Sequence, residues 1–242
     1  MKNIKKIVKN KYSAIADSSG KACGCSGNQT NSKDLGYTEE QLKSVGEADL
    51  GLGCGNPTAF SHIKPGDTVV DLGSGGGIDC FLAAKKTGPE GRVIGIDFTE
   101  KMIERAKANA QKGGYKNVEF ILGDIEKLPL AENFADIIIS NCVINLAPDK
   151  QKVFKESFRV LKPGGKMYVS DIVLLEELSD KLRQNEELIA GCVGGALLKN
   201  DYIELARKAG FKINILSENK GISKQQYNGI PLESLLLETV KP

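Results

Sequence analysis

Short apolar runs recur along the middle of the chain, and longer amphipathic segments separate them. Each run is bounded by charged or turn-forming residues, which is typical of buried strands, whereas the separating segments repeat apolar residues at helical spacing. This alternation predicts crossover units that build an α/β fold, a doubly wound, mostly parallel sheet with helices on both faces. The predicted strands cover residues 68–72, 92–97, 118–122, 135–140 and 166–172, and the predicted helices cover 78–87, 99–112 and 149–161.

The two flanks of the chain differ from this central pattern. Residues 1–15 are basic with an incomplete apolar stripe, which predicts a short helix, and residues 16–36 are rich in Gly, Ser and Asn, which predicts a loop. Thr38 is the expected N-cap of a helix over 37–45, and the glycines and Pro57 that follow predict no regular structure. Towards the C-terminus, the pattern predicts a helix over 199–209 and strands over 211–216 and 234–240, joined by a polar connection.

Composition narrows the classes of protein that this chain can represent. Its 242 residues carry 33 basic and 31 acidic side chains, a formal charge of +2, which argues against a nucleic-acid partner held by bulk electrostatics. No apolar run is long enough to span a bilayer, and no continuous apolar stretch follows the basic N-terminus as a secretory signal would require. We therefore expect a cytoplasmic protein, and because nothing suggests an obligate assembly we expect a monomer.

The first predicted strand leads into a glycine-rich turn with the sequence VVDLGSGGGIDC. A strand, a glycine turn and a helix in this order let a ligand approach the backbone closely and leave amides free at the helix N-terminus. The dinucleotide fingerprint G-x-G-x-x-G would need its third glycine at Ile78 or at Cys80, so the spacing excludes a nicotinamide or flavin site.

The remaining pattern, D-x-G-x-G-x-G, resembles the first motif of class I S-adenosylmethionine-dependent methyltransferases. The resemblance implies that this cofactor lies at the carboxyl ends of the strands, with a carboxylate at the end of the second strand on its ribose and an acidic residue after the third strand near its adenine. For Asn141, a place in the cofactor cleft and a cap on the fourth strand are both open. The residues implied are Asp71, Gly73, Gly75, Gly77, Asp97, Phe98, Met102, Gly123, Asp124, Ile125 and Asn141.

Six cysteines, with one histidine at position 62 and no C-x-x-C spacing, give no pattern of a zinc finger or ribbon. Cys80 lies inside an apolar helix pattern and is expected in the core. Cys54, Cys142 and Cys192 fall at glycine-flanked or strand-end positions, where functional groups concentrate. Each alone could be a small buried apolar residue, but thiolates at these places could together bind a soft, thiophilic centre.

The segments GCGNP, SNCVINL and GCVGGA, taken with the cofactor motif, make nearly the whole chain similar to the arsenite S-adenosylmethionine methyltransferase family. The resemblance implies that Cys54, Cys142 and Cys192 hold trivalent arsenic, delivered as arsenite or a thiol conjugate, for methylation in arsenic detoxification. It also implies a further cysteine in the N-terminal loop, where this chain has Cys23 and Cys25 in a C-x-C arrangement. Either could be an extra ligand or a disulfide partner reset by thioredoxin or glutathione, and a functionless linker is the alternative.

The resemblance also suggests a division of the chain and two rival functions. Residues 1–60 would be a helical and loop extension that contributes to the substrate site, residues 61–173 the S-adenosylmethionine-binding core, and residues 174–242 the part that completes the sheet and covers the metalloid. A small-molecule C- or O-methyltransferase of the same fold is one alternative. A non-catalytic module that sequesters metalloid or zinc on its thiols is the other.

Overall fold

A computed structural model of the protein describes residues 3–18 and 32–242. Its seven-stranded sheet has the order β3-β2-β1-β4-β5-β7-β6, in which β1 to β5 run parallel and β7 pairs antiparallel with both neighbours. The strands are β1 (Thr68–Leu72), β2 (Arg92–Asp97), β3 (Val118–Leu122), β4 (Ala135–Asn141), β5 (Leu161–Leu174), β6 (Lys212–Asn219) and β7 (Leu232–Val240). The prediction of a doubly wound, mostly parallel α/β fold is confirmed.

Helices cover both faces of this sheet, and the described residues form ten α-helices. Those on one face are α1 (Ile4–Asp17), α2 (Glu39–Val45), α3 (Pro57–Phe60), α4 (Ile78–Thr87) and α5 (Glu100–Gly113). The remaining helices are α6 (Lys150–Val160) and α9 (Lys199–Lys208), which pack together on the other face, and α7 (Asp180–Arg183), α8 (Glu186–Ala190) and α10 (Ile222–Gln226), which lie in the connections.

Successive residues of the central strands alternate between two apolar cores. In β1, Val69 packs in the core that contains Phe81 of α4, whereas Val70 packs in the core that contains Phe154 of α6. Both residues are fully buried. This two-sided burial explains why the strands appear in the sequence as continuous apolar runs, and it leaves the carboxyl ends of β1, β2 and β4 as the edge where polar side chains can gather.

The structure departs from the predicted elements mainly in the flanks. The stretch around Pro57 contains the short helix α3, because Asn56 caps it by accepting a 3.0 Å hydrogen bond from the Ala59 amide and proline is well suited to the first helical turn. The polar connection near the C-terminus likewise contains α10. Within residues 3–18 and 32–242, no helix has the length and apolar character needed to cross a membrane.

The N-terminal helix α1 lies across α5 and α8, beside the carboxyl edge of the sheet. Its Lys5 pairs with Asp124 after β3, and its Tyr12 donates a 3.4 Å hydrogen bond to the carbonyl of Ala190. The helix therefore covers the end of the sheet at which the sequence places the cofactor, a role consistent with the predicted division of the chain, which stays a prediction.

Candidate active site

A cavity opens at the carboxyl ends of β1, β2 and β4, above the glycine turn. The turn bends sharply because Gly73, Gly75 and Gly77 have φ of 69°, 50° and 97°, in the left-handed region that side chains disfavour. The buried carboxylate of Asp97 fixes the turn from the next strand, since one oxygen accepts a 3.0 Å bond from the Gly75 amide and the other a 2.9 Å bond from the Thr99 amide.

These residues fit a nucleoside-bearing cofactor. With one donor on each oxygen, the Asp97 carboxylate retains acceptor capacity for the two hydroxyls of a ribose. The hydroxyl of Ser74, in the turn itself, is buried and has no hydrogen-bond partner among the described residues. A buried polar atom without a partner is costly, which favours a bound group at this place.

Two buried acidic side chains lie below the turn at one end of the cavity. Asp71 and Asp79 both line the cavity and are buried. Burial raises the pKa of Asp71 well above its usual value, and the neighbouring Asp79 raises it further. Burial raises the pKa of Asp79 to about 6, although hydrogen bonds from Tyr37, Asn141 and Thr58 oppose the shift. A cationic group bound between the two would favour the charged form of both, as the sulfonium and ammonium groups of S-adenosylmethionine would do.

The other residues expected around the cofactor divide into two layers. Phe98, Asp124, Ile125 and Asn141 line the cavity. Met102, by contrast, is fully buried beside Leu50 and Ile15, because it points from the first turn of α5 into the core beneath α1. The expectation that Met102 contacts the adenine is therefore corrected: its side chain packs behind the residues that line the cavity. Gly77 and Gly123 do not line the cavity but shape the backbone around it. Gly77 is the N-cap of α4, and the amide of Gly123 donates a 2.9 Å hydrogen bond to the Asp97 carbonyl.

Three cysteines from distant parts of the chain meet beside this cavity. The sulfur atoms of Cys54 and Cys142 and a carboxylate oxygen of Asp171 all lie within 4.8 Å of one another. The thiol of Cys192 donates a hydrogen bond to the backbone carbonyl of Cys142 over 2.7 Å. Cys142 and Cys192 line the cavity together with the glycine turn, while Cys54 lies behind Cys142. The thiols of Cys54 and Cys142 thus lie together next to the predicted cofactor site, and Cys192 adjoins them through the backbone of Cys142.

The backbone at two of these cysteines has an unusual conformation. Cys142 has φ of 57° and Cys192 has φ of 69°, both in the left-handed region that is unfavourable for residues other than glycine. Such strain costs of the order of 1 to 3 kcal/mol per residue and persists where the surrounding structure enforces it, most often at functional sites. Because glycine would serve both turns better, these two positions indicate a requirement for the thiol.

Cys54 is held in place by contacts from three strands. Its amide donates a 3.1 Å bond to the side-chain oxygen of Asn141 at the end of β4. Its thiol lies 3.4 Å from the carbonyl of Ser170 in β5, and its own carbonyl accepts a 2.6 Å bond from Ser234 in β7. A Cβ at the next residue, Gly55, would lie 2.2 Å from the Ser170 hydroxyl oxygen, so glycine lets this loop rest directly on the sheet without displacing that side chain.

Burial and hydrogen bonding favour the protonated form of the Cys54 and Cys142 thiols before a ligand binds. Hydrogen bonding with Cys192 and Cys54 is the main cause that raises the pKa of Cys142 well above its usual value, and burial adds to it. Burial raises the pKa of Cys54, with the nearby Asp171 charge acting in the same direction. A thiophilic ligand that takes up or removes these protons would find the sulfurs of Cys54 and Cys142 already close together.

Asp171 is the main residue of the site that sequence reasoning missed. It ends the phrase LKPGGKMYVSD within β5, and burial raises the pKa of its carboxyl to about 6. Its neighbours Tyr202 and Asn145 donate hydrogen bonds to it, and the mostly buried Lys150 lies close enough to interact with its charge. The sequence does show an aspartate inside the predicted strand 166–172, which could have indicated a functional residue. Nothing in the sequence, however, places this aspartate next to Cys54.

The remaining candidate residues lie apart from this cluster or outside the described part of the chain. Cys80 is buried in α4, as expected, with its thiol 3.2 Å from Asp71. His62 is largely exposed and hydrogen-bonds with Tyr168 over 2.8 Å. Cys23 and Cys25, expected to join the site from the N-terminal loop, lie outside the described residues.

Comparison with known proteins agrees with this geometry. A methyltransferase-domain family matches residues 63–210. An arsenite methyltransferase of Halobacterium salinarum is 44% identical over 223 residues, which cover 86% of this chain and 57% of that protein. The arsenite methyltransferase of Rattus norvegicus is 39% identical over 188 residues, which cover 72% of this chain and 50% of that protein. The crystal structure of an arsenic(III) S-adenosylmethionine methyltransferase from Chlamydomonas reinhardtii matches with a TM-score of 0.64 and 34% identity, over 86% of this chain and 72% of that one.

The sheet order, the glycine turn and the matching domain define the chain as a class I S-adenosylmethionine-dependent methyltransferase. Its cofactor is accordingly S-adenosylmethionine. Within that class, the extent of the similarity shows that the chain belongs to the arsenite methyltransferase family. It spans about half the length of the curated relatives it matches.

Proposed function

We propose that this protein transfers a methyl group from S-adenosylmethionine to trivalent arsenic held by the thiols of Cys54, Cys142 and Cys192. The observation that carries the proposal is that the Cys54 and Cys142 sulfurs lie together, with the Cys192 thiol against the Cys142 backbone, beside the cavity that the glycine turn and Asp97 form. A methyltransferase that acts on carbon or oxygen has no use for three converging thiols, two of them on strained backbone. The names of the similar proteins support the same substrate.

Arsenite would bind by exchange of its hydroxyl groups for sulfur. Arsenous acid is neutral, and each thiol that replaces a hydroxyl releases one water molecule, so three protonated thiols yield a neutral complex without net release of protons. The raised pKa values of Cys54 and Cys142 are compatible with this exchange. Soft thiolate ligands suit the thiophilic arsenic centre, and burial of the cluster keeps water from competing for it.

Arsenic bonded to three sulfurs keeps a lone pair, which can attack a methyl carbon in line with its leaving group. When bound, the cofactor supplies that methyl group as part of a sulfonium. The Asp71–Asp79 end of the cavity would hold its cationic part, and Asp97 its ribose. No general base is needed, because no proton leaves arsenic in this step. The residues act by positioning the two reactants and excluding water.

Methylation raises the formal oxidation state of arsenic, so a following reduction is needed before a second methylation. Two cysteine thiols can supply both electrons by forming a disulfide, and the proposal assigns Cys23 or Cys25 to this reaction or to an extra ligand. Thioredoxin or glutathione would then reduce the disulfide by thiol exchange. The physiological role proposed for the whole reaction is detoxification of arsenic by a monomeric, cytoplasmic enzyme.

The decisive assay incubates the purified protein with arsenite, a reduced thiol and methyl-labelled S-adenosylmethionine, and separates the arsenic species. We expect labelled methylated arsenic from the unmodified protein and none from Cys142→Ser. The matched control is Cys80→Ser, which also removes a buried thiol but one outside the cluster. Absence of methylated arsenic from protein that binds the cofactor would overturn the proposal. Transfer to a carbon or oxygen acceptor that survives Cys142→Ser would support the rival function.

A further inference from the structure

Methyl transfer to arsenic, if it occurs as proposed above, moves a positive charge. The lone pair of arsenic forms the As–C bond, the C–S bond of the sulfonium breaks, and its electron pair stays on sulfur. The sulfonium becomes a neutral thioether and the neutral arsenic complex becomes a methylated cation, so electrons and charge balance without a proton. The transition state therefore carries a developing positive charge on arsenic, at a place where neither the free thiols nor the neutral complex has one.

We propose that the carboxylate of Asp171 stabilises this developing positive charge and so accelerates the methyl transfer. A carboxylate oxygen of Asp171 lies within 4.8 Å of the sulfur atoms of both Cys54 and Cys142. An arsenic atom bonded to both sulfurs lies one bond length from each, and thus in the field of the carboxylate. Because Asp171 is fully buried, little solvent is present to weaken this interaction.

The carboxylate is fixed in position before the reaction by four donors. One oxygen accepts a 2.9 Å bond from the Asn145 side-chain amide and a 3.0 Å bond from the Ile172 amide. The other oxygen accepts a 3.0 Å bond from the Tyr202 hydroxyl and a 3.3 Å bond from the Asn145 backbone amide. These donors use the lone pairs that the carboxylate would need in order to bind arsenic as a ligand. Asp171 therefore acts through its electric field, and its preorganisation means that no reorientation is needed as charge develops.

The same charge has no benefit before the reaction, which separates a catalytic effect from a binding effect. Burial is the main cause that raises the pKa of the Cys54 thiol, and the field of Asp171 adds to it, so Asp171 opposes formation of a free thiolate. The arsenic–sulfur complex is neutral before methyl transfer, so the carboxylate of Asp171 meets no positive charge on it in the ground state. Lys150, mostly buried nearby, interacts with Asp171 and favours its ionised form. An interaction that is favourable mainly in the transition state increases kcat and leaves ground-state affinity almost unchanged.

The test compares Asp171→Asn with the unmodified protein in single-turnover methylation of prebound arsenite. Asparagine keeps the shape and removes the charge, so we expect a rate at least tenfold lower with arsenite and cofactor affinities within threefold. The matched control is Asp136→Asn, which removes the charge of an aspartate near the opposite end of β4, where it pairs with Lys162 apart from the cysteines; its rate should stay within threefold of the unmodified protein. Circular dichroism confirms folding of each variant, and Asp171→Ser replaces the asparagine variant if the latter does not fold.

Two outcomes would overturn the role of Asp171. One is a rate within threefold of the unmodified protein for a folded, charge-free variant. The other is a loss of arsenite affinity as large as the loss of rate, which would make Asp171 a structural support of the thiols. Both are distinguishable from failure of the proposed function itself, in which the unmodified protein yields no methylated arsenic.

Discussion

The thiol of Cys192 lies 2.7 Å from the backbone carbonyl oxygen of Cys142, and both residues adopt left-handed backbone conformations. Cys142 follows β4 and Cys192 follows α8, so the contact joins the parallel sheet to the segment that the sequence predicts as a cover. The strain at both residues is maintained by this contact and by burial. The relationship brings together two cysteines that lie 50 positions apart in the chain.

Replacing Cys192 by glycine should separate function from stability. Glycine relieves a left-handed conformation that costs other residues roughly 1 to 2 kcal/mol, and this gain offsets most of the loss from removing a small buried side chain. We expect the free energy of unfolding to change by less than about 1 kcal/mol, while arsenite affinity falls at least tenfold. Denaturant unfolding and isothermal calorimetry measure the two effects, and unchanged affinity would remove Cys192 from the ligand set.

Asn141 should link the cofactor cavity to the arsenic ligands. Its side chain accepts from the Cys54 amide and donates to the Gly55 carbonyl at 2.8 Å and to the Tyr37 hydroxyl at 2.9 Å. Asn141→Ala leaves buried polar groups without partners, which costs roughly 1 to 3 kcal/mol for each such group. We expect a loss of stability in that range and weaker binding of arsenite as well as of cofactor. An effect on cofactor binding alone would show that Asn141 does not position Cys54.

Cofactor affinity should depend on pH through the carboxylates below the glycine turn. Asp79 has a pKa raised to about 6, so it is largely protonated below that pH and ionised above it. The neighbouring Asp71 is shifted in the same direction, and Tyr37, Thr58 and Asn141 are the other groups that face Asp79. Because the bound cation favours ionised carboxylates, affinity should fall as the pH drops through 6, approaching tenfold per pH unit for one proton.

Calorimetric titration with S-adenosylmethionine between pH 5 and pH 8 checks this dependence. Asp79→Asn is the matched variant, and it should bind more weakly at pH 8 with a flatter pH profile. A steep profile that persists in this variant would assign the effect to other groups.

Loss of the Lys5 ion pairs should speed cofactor release. Lys5 of α1 contacts Asp124 at 2.6 Å and Glu126 at 2.5 Å, and these contacts hold α1 across the cavity. The groups are partly exposed, so each pair contributes at most about 1 kcal/mol. Because Lys5→Met removes both pairs, we expect the dissociation rate to rise by up to about 25-fold at low salt and less at high salt. Stopped-flow displacement measures the rate, with Lys6→Met on the exposed side of α1 as control; equal rates in both variants would contradict a covering role for α1.

Much of the fold could be predicted because the central strands are buried on both faces and therefore appear as continuous apolar runs. Three strands, Thr68–Leu72, Arg92–Asp97 and Val118–Leu122, have the predicted bounds. Elements that depend on tertiary contacts were harder to predict from the sequence. The short helix α3 exists because of an Asn56 cap and a favourable position of Pro57, whereas proline and glycine in the sequence usually indicate a loop.

The residues of the site likewise differ in how far the sequence predicts them: those in a local motif could be located, and those brought together only by the fold could not. Asp97 and the glycine turn could be located because both lie at strand ends within a short motif. The neighbourhood of Asp171 could not, since it arises from β5, α9 and the Cys54 loop meeting across the sheet edge. Met102 illustrates the converse: its helical position was predicted, but the direction of its side chain is set by packing against Leu50 and Ile15.

X-ray absorption at the arsenic edge tests most directly whether Cys54, Cys142 and Cys192 bind arsenic together. The protein used is the full chain with Cys23→Ser and Cys25→Ser, so that these two thiols cannot bind the ligand. In its complex with arsenite, the arsenic atom should have three sulfur neighbours and no oxygen neighbour. Each single serine substitution at 54, 142 or 192 should reduce the number of sulfur neighbours to two, whereas Cys80→Ser should leave three. A first shell of oxygen, or a sulfur count that none of the three substitutions alters, would contradict the account.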